Sequence, residues 1–587
     1  MYRHAAQVTL RTGGLAFRIC RRQSSLAHTE ESDVVIVGGG PAGLALASAL
    51  GIAWFLLLRT EIDELLTGSS RLVENTLRIV LVEAGDLSKI RDWAPAQSNF
   101  SNRVSSITNA SQAFLKDIGA WPYVQQDRTK PIEEMQVWDG LSDARITFSV
   151  SEMLTPGSTA PNEMAILVEN LNLQRALLHR ISTMPGVSIL DKTRVQTIQK
   201  EESEGNGWPL VYLSNGRVLR ARLLVGADGF NSPVRSFTGI GSYGWAYDTQ
   251  AIVATMNHHP RTAFEPPNTV AYQRFLPTGP IAFLPLSDTA SSLVWSTRPN
   301  LAKALQASDP AILTNVINAA FRLPEVSLRY LHNRILEAHA TGSALLPDEL
   351  SAEISWREQS HTIDSRSAYS VTALAKTASG GIPPEGVDLL PPFVTSIQEG
   401  TIASFPLRMS HADAYIGEGH GARTVLVGDA AHTIHPLAGQ GLNLGLGDVE
   451  SLARCIQSAV QNGGDVGSYT ALAPYARDRY FENHKMLSAV DKLHKLYSAT
   501  AEPIVWARSV GLEVLNELDT LKAALMMSAG STHRTDPASV GWSVAASGLE
   551  AFAKTASGAK NIGGTVAGLA NATVSGLLKQ LSDSGRS

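Results

Sequence analysis

The sequence predicts an α/β protein: a Rossmann-like nucleotide-binding domain, an inserted β-sheet domain and a C-terminal helical region. Three observations predict it. The β-branched run Val34-Val35-Ile36-Val37 enters Gly38-x-Gly40-x-x-Gly43 and an Ala- and Leu-rich stretch to Leu50, giving strand, tight turn and helix in succession. Two later strand-like runs each end on a carboxylate beside glycine, at Gly226-Ala227-Asp228-Gly229 and at Gly428-Asp429. β-branched and aromatic runs from Thr249 to Arg298, and a helical pattern over 470–527, supply the other two regions.

At 587 residues the chain exceeds one ordinary domain, and 44% hydrophobic with 18% charged residues is the composition of a soluble globular protein. A net charge of -5 gives no support to nucleic-acid binding. Two cysteines, Cys20 and Cys455, leave no disulfide framework and no Cys-based zinc site, which points to a reducing compartment. Residues 1–28 carry five arginines, no lysine and no acid, with Ser24 and Ser25 near the end. That is the composition of a mitochondrial transit peptide, a disordered basic tail being the other reading. Without it, 44 basic face 54 acidic residues, a charge of -10. Val34 to Leu58 is uncharged and long enough to span a bilayer, but Gly38, Gly39, Gly40, Pro41 and Gly43 lie inside it, so a soluble strand-turn-helix explains it better.

In chain order, Leu77–Glu83 reads as a second strand ending in an acid. The segment before it, apolar as AWFLLL and then charged as RTEIDELL, has no place in a compact strand-helix-strand unit. Leu171–Arg180 reads as a helix, Ser214-Asn215-Gly216-Arg217 as a hairpin turn and Arg222–Val225 as a third strand. Residues 358–396, with Gly380-Gly381 and two Pro-Pro pairs, read as a loop excursion. Arg423–Val427 is a fourth strand, and a Gly-rich turn then opens a helix from about Leu442 to Val460. Met486, Val490, Leu493 and Tyr497 keep helical spacing, and the tail from Gly530 is weakly amphipathic at Ile562, Val566, Leu569 and Leu577.

The missing side chains of the first motif are its chemistry. Gly38 allows a tight turn, Gly40 admits a pyrophosphate against the backbone, and Gly43 lets helix and strand pack closely, while the helix N-terminus offers unpaired N–H groups. An acid should then bind the ribose hydroxyls. Glu83 ends the cleaner strand but lies forty residues beyond Gly43; Glu61 has the better spacing and is the rival. Choosing Glu83 makes 51–75 a single removable insert, either a true loop or translated intron. Asp228 can turn toward a ribityl or ribose hydroxyl, although an isolated Asp-Gly is more often a turn. Asp429 can hold a ribityl chain, and the Gly439-Gln440-Gly441 turn aims helix N–H groups at a ring that becomes anionic on reduction. His432 and His435 have no partner acids at ligand spacing and read as packing or capping residues, so no metal is expected.

Together these elements resemble the FAD-dependent aromatic hydroxylases of the para-hydroxybenzoate hydroxylase type. Asn102-Arg103-Val104-Ser105-Ser106-Ile107, Leu171–Leu177 and GDAAHTIHPLAGQGLNLG are similar to the UbiH/VisC-type flavin-dependent monooxygenases of ubiquinone (coenzyme Q) biosynthesis; the likeness covers about residues 32–525. The resemblance implies noncovalent FAD, with Gly38, Gly40, Pro41, Ala42 and Gly43 at the pyrophosphate, Glu83 at the adenosine ribose, and Arg103 and Gln174 along the cofactor. Asp228 and Gly229 belong to its shared motif. Gly428 and Asp429 would meet the ribityl chain, and Pro436, Gly439, Gln440, Gly441, Leu442 and Asn443 the isoalloxazine. The implied layout is a transit peptide at 1–28, FAD-binding parts at 29–140, 221–240 and 411–470, mixed segments at 141–220, a β-sheet substrate domain at 241–410, and helices with a low-charge tail at 471–587. The insert at 51–75 departs from the family pattern and puts the first phosphate-binding helix in question.

The resemblance further implies that O2 taken up by reduced FAD as a C4a-hydroperoxide hydroxylates the ring of a polyprenylated phenol or hydroxybenzoate. No side chain need be a nucleophile, so no catalytic residue is assigned. With one dinucleotide motif no separate NAD(P)H domain is visible; hydroxylases of this type can take hydride from transiently bound NADPH, but the likeness to the mitochondrial coenzyme Q branch favours ferredoxin and its reductase as electron donors. It also places the protein peripherally on the matrix side of the mitochondrial inner membrane, beside other coenzyme Q biosynthesis proteins. The helix after Phe481, with Lys485, Lys492 and Lys495, is a candidate membrane contact, a solvated face being the commoner reason for such charges. Two alternatives stay open: a flavin monooxygenase of another phenol, and a noncatalytic member of the biosynthetic complex.

Overall fold

The computed structural model describes residues 29–51, 77–142, 144–150, 163–202, 207–261, 267–361 and 390–517. Glu61, most of the insert, the excursion over 362–389, the leader and the tail lie outside them. The β-branched run forms the centre of the strand Thr29–Val37, with Val34–Val37 buried on both faces as expected of a parallel strand under helices. Parallel to it run Ile79–Val82 and Val187–Leu190 on one side, and Val218–Gly226 and Thr424–Leu426 on the other. Pro209–Leu213 and Val195–Lys200 extend this seven-stranded sheet as an antiparallel hairpin and its neighbour. Gly216 turns the hairpin at φ 84°, where a Cβ would be strained.

Register brings the sequence motifs together. Val37 lies opposite both Val82 and Gly226, and Gly226 opposite Leu426. The segments that follow these four strands therefore leave the sheet at one edge, the carboxyl edge where open α/β sheets hold ligands. Residues 41–51 are helical, and the burial of Leu44, Ala45, Leu46, Ala47, Ser48 and Leu50 shows the helix enclosed nearly all round.

The second sheet has nine strands, among them Ser242–His258, Val270–Leu276, Gly279–Pro285, Ala290–Thr297 and Ala403–Ala412. It reaches further than the run from Thr249 to Arg298. Glu134–Asp139 joins it parallel to Val270–Leu276, and Arg145–Ser149 pairs with Glu134–Asp139. Four helices, Pro299–Ala307, Pro310–Arg322, Glu325–Thr341 and Pro347–Ser360, pack on one face, where Trp138, Phe283 and Trp295 meet Leu305, Val316 and Phe321. The region anticipated as a β-sheet is thus a sheet with a helical layer, because the apolar face of so wide a sheet needs covering. A small third sheet pairs Ala165–Glu169 with Val104–Thr108 and Thr129–Ile132.

The C-terminal helical pattern is two helices, Tyr469–Ser498 and Glu502–Glu517. Arg508 closes the break between them: Nη1 donates to the carbonyls of Leu496 and Ala499 at 2.8 and 2.7 Å. Its Nε and Nη2 form a buried fork on Asp139 at 2.6 and 2.9 Å, tying the last helix to the second sheet. No helix among the described residues is long and apolar enough to cross a membrane.

Candidate active site

At the shared edge, Gly38 takes φ 113°, and a Cβ there would lie 2.2 Å from the carbonyl oxygen of Ala227. A Cβ on Gly43 would lie 2.0 Å from the carbonyl oxygen of Gly38. Both absences let the first turn press against the Asp228 loop, and the Ala227 N–H donates to Val37 at 2.8 Å. Gly40 differs: a Cβ there would meet nothing within 4 Å. It borders open space at the start of the helix, next to Pro41 and Ala42, where backbone N–H groups are free to meet an anion.

Glu83 reaches this turn, its Oε2 accepting from the Gly39 N–H at 2.5 Å and its Oε1 from the Gly85 N–H at 2.6 Å. Gln174, on the helix Asn170–Ser182, donates to the Gly39 carbonyl at 3.3 Å. Arg103 stands one element away: its side chain is exposed and its carbonyl accepts from the Asn170 N–H at 3.0 Å, at the start of the Gln174 helix.

In the second motif Asp228 accepts from the Val234 N–H at 3.1 Å through Oδ2, while Oδ1 is buried without a partner. Burial, opposed by bonds from Ser232 and Val234, raises its pKa. Gly229 follows at φ 81°. Arg235, at the end of the second motif, bridges the second and third motifs, donating to the carbonyls of Phe230 at 2.5 Å and Ala430 at 2.6 Å.

In the third motif Gly428, at φ 58°, brings its Cα edge against Ala42 of the first helix. Asp429 is solvent-exposed yet crowded by surrounding protein, as a carboxylate lining a recess would be. Desolvation raises its pKa and His432 opposes the rise. Asn443, fully buried near the start of the helix Gly441–Gln461, accepts from the Thr108 N–H at 3.1 Å and donates to the Ser106 carbonyl at 2.8 Å. The Pro436–Ala438 turn and Gly439, at φ 61°, are thereby set against the strand Val104–Thr108, with Gln440 as the helix N-cap and Leu442 packed on the main core.

His432 has an acidic partner 16 residues further along the chain, beyond any local ligand spacing. Its Nε2 lies 2.6 Å from Asp448 Oδ2, which also accepts from the Gly428 N–H at 3.0 Å. Asp448 Oδ1 accepts from Arg479 Nε at 3.0 Å and Asn483 Nδ2 at 2.8 Å. Burial alone would raise the Asp448 pKa, but His432, Arg479 and Asn483 outweigh it and hold it at about 2. No metal-holding group of His, Cys, Asp and Glu occurs among the described residues.

Open space at Gly40, an unpartnered buried oxygen on Asp228 and an accessible carboxylate at Asp429 fit a dinucleotide with a polyhydroxyl chain. Fold and site define a class, the FAD-dependent monooxygenases: residues 31–341 and 398–480 match the family model of the FAD binding domain. p-Nitrophenol 4-monooxygenase PnpA of Pseudomonas putida DLL-E4 shares the fold, with 15% identity, a TM-score of 0.54, and 86% of this chain and 100% of that one covered. So does PqsL of P. aeruginosa in complex with 2-aminobenzoylacetate, at 21% identity and TM-score 0.52 over 82% and 99% of the two chains. Among sequence relatives, the mitochondrial ubiquinone biosynthesis monooxygenase COQ6 of Schizosaccharomyces pombe is 36% identical over 84% of this chain and 90% of its own length. That of Xenopus tropicalis is 38% identical over 84% and 92%. The chain belongs to the family of these ubiquinone biosynthesis monooxygenases, and it is an FAD-dependent aromatic monooxygenase.

Proposed function

We propose that the protein hydroxylates the aromatic ring of a polyprenylated phenol or hydroxybenzoate on the route to ubiquinone, in mitochondria, using O2 and electrons delivered through ferredoxin and ferredoxin reductase. The observation that carries the reading is the meeting of Gly38–Gly43, Asp228 and Gly428–Asp429 at one sheet edge, in a chain whose relatives are named for this pathway. FAD supplies the two-electron chemistry that activates oxygen. The chain's own residues do the rest. Gly40, Pro41, Ala42 and the helix N-terminus receive the pyrophosphate, Glu83 the adenosine ribose, with Arg103 and Gln174 alongside. Asp228, Gly229, Gly428 and Asp429 take the ribityl side, and the turn from Pro436 to Asn443 meets the ring. The face of the second sheet opposite its helical layer, with Val137 and Phe275, walls the reaction from water. Among the described residues there is no second parallel nucleotide-binding sheet; transiently bound NADPH would need none, so the choice of a protein donor rests on the likeness to the mitochondrial coenzyme Q branch.

The test is direct. The chain from Thr29 onward should purify with one FAD, be reduced by ferredoxin and its reductase at least tenfold faster than by NADPH, and place one atom of ¹⁸O2 in a prenylated product. Equal reduction by NADPH overturns the donor, and turnover of only unprenylated phenols overturns the substrate. A parallel version lacking 51–75 should bind FAD equally; binding only in that version makes the insert disabling.

A peripheral membrane contact on the matrix side is supported by one exposed patch. Phe481 is 60% exposed with Lys485 over its ring, and Trp245 is 41% exposed beneath Lys495. Aromatic rings beside ammonium groups suit an anionic lipid surface. The double variant Trp245→Ser, Phe481→Ser should lose about tenfold in binding to vesicles containing anionic phospholipid, by roughly the 1.4 kcal/mol that tenfold represents. Unchanged sedimentation with vesicles removes this patch from the contact.

A further inference from the structure

The strand Val270–Leu276 shows its two faces by what each residue meets. Val270, Tyr272 and Leu276 pack into the core beneath the helical layer, and Arg274 points the same way, Nη1 donating to the carbonyls of Ala320 and Leu323 at 2.9 Å. Side chains alternate along a strand, so Ala271, Gln273 and Phe275 face the other side. Ala271 shares a cluster with Val104 and Leu284, and Phe275 one with Val137 and Leu437. Val104 opens the strand against which the flavin-side turn is set, and Leu437 belongs to that turn. Gln273 stands between these two contacts.

Register fixes what flanks it. Val137 lies beside Gln273 on one neighbouring strand and Ala282 on the other, and beyond Ala282 the same row continues through Val294 to Val253. Gln273 is the one polar side chain in that row. It is 4% exposed, yet its amide makes no hydrogen bond with any described residue. Buried amides are almost always paired, so one left open beside a reaction site calls for a partner that comes and goes. There is room for one. Ala282 and Val294 belong to the two central strands of the nine-stranded sheet and are nevertheless half-buried, so open space stands before this row.

We propose that Gln273 is a specificity-determining residue: its amide holds the phenol oxygen of the substrate and so sets which ring carbon faces the flavin. This rests on the prenylated-phenol reading above and on the flavin ring lying beside Leu437. An amide suits the task in two ways. Its carbonyl accepts from a phenol O–H and its NH2 donates to a phenolate, so one side chain holds the oxygen in either state of charge. It is also neutral itself, and an apolar wall hosts it without burying an ion. A phenol oxygen activates the ring carbons ortho and para to it, and fixing that oxygen at Gln273 leaves one of them turned toward the flavin-side turn. A site that hydrogen-bonds a substrate hydroxyl also rejects the analogue lacking it, because the buried amide is then left unpaired.

The experiment is a cycle of two ligands and two proteins, read in the oxidised holoenzyme by the change in its flavin spectrum. The ligands are a farnesylated phenol and its methyl ether, which keeps ring and chain but has no hydrogen to donate. Wild type should bind the phenol at least tenfold more tightly than the ether. Gln273→Met, of similar length and without the amide, should bring that ratio within threefold by weakening the phenol and leaving the ether as it was. In turnover with the phenol, Gln273→Met should form a second ring isomer or release at least threefold more hydrogen peroxide per O2 consumed. An unchanged phenol-over-ether ratio overturns the contact. A lost ratio with one isomer and wild-type peroxide release overturns the role in choosing the carbon. If Gln273→Met fails to hold FAD, Gln273→Asn decides: its amide, drawn back by one carbon, should lower the ratio at least threefold, and a wild-type ratio overturns the proposal. A wild type that binds neither ligand but hydroxylates an unprenylated phenol overturns the substrate reading instead, and the same cycle run with that phenol and its ether then decides for or against Gln273.

Discussion

Replacing Asp448 with alanine is expected to cost roughly 3–5 kcal/mol and to release FAD, the largest effect of any side-chain truncation at this site. Asp448 is fully buried, and its two oxygens accept from Gly428, His432, Arg479 and Asn483. Removing the carboxylate leaves the Arg479 guanidinium, itself 1% exposed, without its counter-charge. It also frees the Gly428 N–H that fixes the turn carrying Asp429. Chemical denaturation of the purified variant, read beside its flavin absorbance, checks both consequences. A variant with wild-type midpoint and full flavin would show the network to be dispensable.

Acid should act in the same direction. The Asp448 pKa is about 2 in the fold against about 3.9 for an unperturbed aspartate. A folded pKa below the unfolded one means stabilisation that is complete above about pH 4 and is lost as the pH falls toward 2. The wild type should therefore lose stability through that window more steeply than Asp448→Asn, in which no proton is taken up at this position.

Which parts of this site were legible in the sequence follows from how far each interaction reaches. Strand-end context places Glu83 at the first turn, where it meets the Gly39 N–H because residues that end adjacent parallel strands emerge together, while its rival Glu61 lies outside the described residues. The glycine turns were legible for the same local reason: their backbone geometry excludes a side chain. Asp448 was not, because its partners lie 16, 20, 31 and 35 residues away: His432 and Gly428 precede its helix, and Arg479 and Asn483 reach it only when the helices Gly441–Gln461 and Tyr469–Ser498 pack. Arg235 is similar, reaching Ala430 across 195 residues. Of the four helices between Pro299 and Ser360, Pro310–Arg322 carries a local signal, Ile312, Leu313, Val316, Ile317 and Ala320 standing at helical spacing beside the β-branched runs of the sheet. The parallel pairing of Glu134–Asp139 with Val270–Leu276 had no local signature.

The second large effect separates the two jobs of the glycine turn. Gly38→Ala places a methyl 2.2 Å from the Ala227 carbonyl oxygen at a φ of 113°, so backbone must move on both sides. Strain and overpacking together should cost roughly 2–6 kcal/mol, and flavin should be lost with the fold around it. Gly40→Ala should behave otherwise. Its methyl enters space with no protein atom within 4 Å, so the apoprotein should melt within a few degrees of wild type. The same methyl, however, occupies the approach of the pyrophosphate to the helix N-terminus, and FAD affinity should fall at least tenfold, about 1.4 kcal/mol. Melting each variant with and without added FAD measures both quantities at once. Wild-type FAD affinity in Gly40→Ala would move the pyrophosphate away from this turn, because among the described residues no atom lies within 4 Å of the added carbon to compete for that space.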